Sequence, residues 1–107
     1  MIQFIETGIF TARITELMTD DEYKNVQQFL AQNVEVGALI SGGGGLRKIR
    51  WASNRRRKGK RSGIRIIYYV YLKHHLYMIY SYDKDEQEDL TREQIKVLRE
   101  YVKRRIL

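Results

Sequence analysis

The run Leu46-Arg47-Lys48-Ile49-Arg50-Trp51-Ala52 and the later run Ile64-Arg65-Ile66-Ile67-Tyr68-Tyr69-Val70-Tyr71-Leu72 decide the fold. Both alternate with the period of two that sets successive side chains on opposite faces of a strand. In the first, Lys48 and Arg50 share one face and Arg47, Ile49 and Trp51 the other. In the second, Ile64, Ile66, Tyr68, Val70 and Leu72 form an apolar face, while Arg65 lies with Ile67, Tyr69 and Tyr71. Residues 53–63 form a long cationic connection between them. Lys73-His74-His75 is expected to turn the chain into a third β-rich run, Leu76 to Tyr82, carrying Tyr77, Tyr80 and Tyr82. Consecutive strands with short connections favour a mainly antiparallel sheet.

Working outward, Ser41-Gly42-Gly43-Gly44-Gly45 reads as a hinge or loop. A phosphate-binding P-loop needs Gly-Lys-Ser/Thr and then a helix, whereas a strand pattern follows here. Upstream, Thr19-Asp20-Asp21-Glu22 is a capping box whose acidic first turn suits the positive end of a helix dipole. The spacing of Tyr23, Val26, Phe29, Leu30 and Asn33 predicts a helix over 20–33. An earlier helix is expected from Ile9 to Met18, with Ile14, Leu17 and Met18 on one stripe, after a short strand near residues 2–7. Thr91-Arg92-Glu93-Gln94 is a second capping box. It opens a helix to about Arg105 on which Ile95, Leu98, Val102 and Ile106 line one side. The expectation is one α+β domain over residues 1–107: a mainly antiparallel sheet, two N-terminal helices on one face, and a C-terminal helix. One face of that sheet is expected to carry Lys48, Arg50 and Arg65 towards solvent.

Charge is unevenly distributed. The 107 residues carry a net charge of +7, yet residues 1–46 are net negative and residues 76–107 are balanced. The excess lies in residues 47–75, with eleven basic side chains and no acidic one: Arg47, Lys48, Arg50, Arg55, Arg56, Arg57, Lys58, Lys60, Arg61, Arg65 and Lys73. Such concentration is the electrostatic footprint of a polyanion binder. Nucleic acid is the leading partner, ahead of an anionic membrane or an acidic protein. Disulfides and cysteine-ligated metal sites are excluded by the absence of cysteine. No apolar run reaches the ~18 residues of a membrane span. The N-terminus lacks the pattern of a secretory signal, so a cytoplasmic location is expected.

The most informative set is Lys48, Arg50 and Arg65, three cations on same-face positions of two adjacent strands. Like charges opposite one another destabilise a sheet, and an anionic ligand would offset that cost. Metal-free RNA cleavage needs a base for the ribose hydroxyl, stabilisation of the pentavalent phosphate, and a proton for the leaving oxygen. Clustered cations favour the neutral amine of a lysine, making it a possible base, while arginines hold phosphate. Nearby tyrosines can stack bases or donate protons. His74 and His75 fall in a turn, where bystanders are common. No metal or other cofactor is expected: residues 47–75 hold no carboxylate to complete a two-histidine site, and Asp83, Asp85, Glu86, Glu88 and Asp89 read as a solvated loop before a helix cap.

The run Gly44-Gly45-Leu46-Arg47-Lys48-Ile49-Arg50-Trp51-Ala52, the basic connection, and Gly63-Ile64-Arg65-Ile66-Ile67-Tyr68-Tyr69 resemble the RelE superfamily of bacterial toxins. The Leu-Arg-Lys-Ile-Arg spacing and Tyr82-Asp83-Lys84-Asp85-Glu86-Gln87-Glu88-Asp89-Leu90 most resemble its HigB-like branch. The resemblance implies a RelE/ParE-like fold and a ribosome-dependent mRNA endonuclease working in the ribosomal A site. The family's basic residues fall on Lys48, Arg50 and Arg65, and a family lysine on Lys84. An arginine that follows this lysine in RelE is replaced by Asp85, and the C-terminal tyrosine of RelE is replaced by Thr91. Tyr82, Tyr68 and Lys84 are therefore the candidates for the general acid. Arg47, Arg55, Arg56, Arg57, Lys58, Lys60 and Arg61 would bind RNA or ribosome. Implied partners are the 70S ribosome with mRNA and a cognate helix-turn-helix antitoxin, HigA-like. Alternatives are a ParE-like gyrase-inhibiting toxin and a non-catalytic RNA-binding module.

Overall fold

A computed structural model describes residues 1–52 and 63–107. Its elements run β1 (Gln3–Glu6), α1 (Gly8–Leu17), α2 (Asp20–Gln32), β2 (Ala38–Leu39), β3 (Arg47–Trp51), β4 (Ile64–Tyr71), β5 (His75–Asp83) and α3 (Arg92–Arg105). The protein is α+β: three helices and one five-stranded sheet of order β1-β5-β4-β3-β2. Three of its pairings are antiparallel, and β1 pairs parallel to β5.

Local chemistry sets the helix boundaries. Thr7 caps α1 by accepting from the Phe10 amide, and the capping boxes Thr19/Glu22 and Thr91/Gln94 open α2 and α3. Lys103, Arg104 and Arg105 occupy the last turn of α3, where the dipole favours cations. Between α2 and β3 the chain turns through Gly42 and Gly44, whose φ values of 73° and 64° other residues reach only at a cost.

The two faces of the sheet are buried separately. Phe10, Ile14 and Leu17 of α1 and Val26 and Leu30 of α2 pack on Ile49, Ile64, Ile66, Tyr68, Leu76 and Met78. On the other face Leu46, Ile67, Ile79 and Tyr82 form a smaller core with Val102 of α3, joined by Leu98 and Ile106. That second cover corrects the expectation of a solvent-facing cationic sheet surface for Arg65, while Arg50 stays exposed and Lys48 half-buried. The stripe of α3 needs an apolar partner, and it settles on the only face that α1 and α2 leave open. Arg65 is accordingly 7% exposed.

Two local corrections follow. The β4–β5 turn begins one residue earlier than the sequence suggests: Leu72 and Lys73 adopt φ values of 52° and 66°, and Leu72 is exposed rather than on the apolar face. Along β5 the register slips between the pairs Ile67↔Tyr80 and Tyr68↔Met78, leaving Ile79 as an extra residue. The bulge puts Ile79 and Tyr80 against the same core, which strict alternation forbids. No helix among the described residues is long and apolar enough to cross a membrane.

Candidate nucleic-acid interface

Pairing of β3 with β4 sets Arg50 directly opposite Arg65, and β4 with β5 sets Arg65 opposite Tyr82. The next same-face row is Lys48, Ile67 and Tyr80. The three expected cations therefore meet on one face, beside two stacked tyrosines whose ring centroids lie 6.0 Å apart. Their exposure is graded: Arg50 is exposed, Lys48 half-buried and Arg65 buried. A buried guanidinium beside an exposed one suits a ligand with several anionic oxygens.

Arg65 is held close over the backbone at Gly63. A Cβ there would come within 2.8 Å of its Nη1. Lys84 follows β5 directly, and its amide donates to the Gly63 carbonyl at 3.0 Å, so its backbone borders the same corner. Tyr82 is wholly buried, and its hydroxyl makes no hydrogen bond of good geometry among the described residues. Burial pushes this phenol above its ordinary value; Asp89 adds to the shift and Arg65 opposes it. Tyr82 thus stays protonated at neutral pH, as an acid must.

A residue passed over as loop completes the cluster. Asp89 accepts a 2.8 Å hydrogen bond from Lys48 Nζ across 41 positions of sequence. This contact holds the Asp89 carboxyl below its ordinary value against the opposing effect of burial, and the charges of Lys48, Arg50 and Arg65 add to the lowering. Lys48, Arg50 and Asp89 border a groove of about 690 Å³ with Phe29, Val36, Leu39 and Ile95 on its apolar side. Cations beside an apolar floor offer one place for phosphate and another for a base.

Two proposed site residues belong elsewhere. Tyr68 sits in the core on the opposite face, fully buried. Its hydroxyl donates to the Val34 carbonyl at 2.7 Å and accepts from the Gly37 amide at 2.9 Å. It is a strut for the α2–β2 connection and leaves the list of acids. Arg47 likewise braces that connection, donating to the carbonyls of Glu35 and Gly37 and pairing with the Glu35 carboxylate. It therefore stands on the face opposite Lys48 and Arg50, apart from the cation cluster. Arg55, Arg56, Arg57, Lys58, Lys60 and Arg61 lie outside the described residues. His74 is exposed in the turn; His75 begins β5, near Tyr71 and remote from the cations in register. No protein-family model matches the sequence.

Proposed function

We propose that the chain is a ribosome-dependent mRNA endonuclease, the toxin of a bacterial toxin-antitoxin pair, in line with its resemblance to the HigB-like branch of the RelE superfamily. The observation that carries this is the meeting of Lys48, Arg50 and Arg65 on one sheet face, with Tyr82 paired opposite Arg65. Arg50 and Arg65 hold the scissile phosphate and stabilise its extra charge as the neighbouring 2′-hydroxyl attacks. Lys48 sits where it can share that phosphate or serve the attacking hydroxyl. Tyr82 and Lys84 remain the candidates for protonating the departing 5′ oxygen. No cofactor enters this reaction. A helix-turn-helix antitoxin, HigA-like, would silence the protein by covering this face or by blocking its access to the 70S ribosome.

Primer extension on a defined mRNA in a reconstituted translation system tests the proposal. Discrete cuts on translated message, absent from naked mRNA and lost with Lys48→Ala or Arg65→Ala, are expected. Intact message in every lane would overturn it, and a supercoiling assay would then examine gyrase poisoning.

A further inference from the structure

The reading of this face as an RNA site leaves Asp89 unexplained. Its carboxylate rests on Lys48 Nζ, next to Arg50 and Arg65, where a phosphodiester would be received. The backbone around it is held at both ends. Before it, Glu86 pairs with Arg13 of α1. After it, Thr91 and Gln94 form the capping box, and Gln87 donates to both Gln94 and the Asp89 carbonyl. The Asp89 side chain itself is 69% exposed, while that of Lys48 is 21% exposed. Among the described residues Lys48 is its one hydrogen-bonded partner. A carboxylate presented by an anchored backbone, yet free to rotate into water, is easily displaced, because exposed ion pairs contribute little.

The geometry points to Asp89 as a resident anion that occupies the phosphate position of the empty protein and swings aside when RNA binds. This rests on the RNA-binding reading of the face but not on cleavage. The resident carboxylate offsets the repulsion between Lys48, Arg50 and Arg65 in the unbound state, and it weakens binding of any RNA that does not bring enough additional contacts to displace it. Free RNA is thereby disfavoured relative to message presented with a second surface.

Fluorescence polarisation with a short 2′-O-methyl RNA, which lacks the attacking hydroxyl, reads binding without cleavage. At fixed salt, Asp89→Asn is expected to bind about threefold to tenfold more tightly than the native chain. Glu88→Gln makes the same charge change one residue away and is expected to change affinity less than twofold. In a Lys48→Ala background the gain from Asp89→Asn should vanish. Equal gains from Asp89→Asn and Glu88→Gln, weaker binding by Asp89→Asn, or no measurable binding by either protein would each overturn the inference. Tighter binding by Asp89→Asn with translated message left intact would uphold the inference and overturn the nuclease proposal. Cuts on translated message with no gain in binding would do the reverse.

Discussion

Replacing Tyr68 by phenylalanine removes one oxygen and separates a strut from an acid. That oxygen receives the Gly37 amide at 2.9 Å and donates to the Val34 carbonyl at 2.7 Å, from a ring that is fully buried. Each buried partner left without a bond costs about 1–3 kcal/mol. Gly37 is buried and belongs at the upper end; Val34 is half-exposed and belongs at the lower. The sum is about 4 kcal/mol, which at about 4 °C per kcal/mol for a domain near 100 residues lowers the melting temperature by about 16 °C. Thermal unfolding followed by circular dichroism gives the shift, and primer extension well below both midpoints gives the cleavage. Tyr68→Phe should melt early and still cut. A variant that melts within about 2 °C of the native protein would refute the strut argument. One that stays folded and no longer cuts would return Tyr68 to the reaction.

Gly63→Ala puts a methyl group within 2.8 Å of Arg65 Nη1 and displaces the guanidinium; cleavage should fall about tenfold or more, while the far end of a flexible side chain yields cheaply enough to hold the melting temperature within a few degrees. Unchanged cleavage would show that Arg65 needs no fixed position. Thr91→Ala removes an N-cap and should cost about 1 kcal/mol, read as about 4 °C in the same melt. Because Lys48 depresses the Asp89 carboxyl, the stability it lends is present above the ordinary carboxylate range and is lost as pH falls through the depressed value. A carbon-detected NMR titration should therefore find Asp89 protonating at lower pH in the native chain than in Lys48→Ala, and coincident midpoints would contradict the contact.

Period and capping carried most of the elements into view. The two capping boxes mark α2 and α3 within a residue or so, and alternation in β3 and β4 places Lys48, Arg50 and Arg65 together as the register has them. What escaped depends on contacts between distant segments. A two-residue strand such as β2 has no period to read, and the parallel pairing of β1 with β5 leaves no local trace. Alternation ranks Tyr68 and Tyr82 alike as strand tyrosines; only the placement of α1, α2 and α3 separates the core that holds Tyr68 from the face that Tyr82 shares with the cations. Asp89 looked like solvated loop because its partner lies 41 positions earlier.

The edge strand β1 also bears on how the chain acquires its shape during synthesis. It pairs with β5, and the Thr7 hydroxyl closes onto the Ile79 carbonyl 72 positions away. Phe10, Ile14, Leu17, Val26 and Leu30 leave the ribosome well before the strands that cover them. Such non-local closure slows folding and holds the helices without a core until β5 has emerged. Translation of this protein therefore yields no early folded half: the N-terminal segment waits, its apolar stripes uncovered, until the last strand is made, and the second core closes only when α3 follows it.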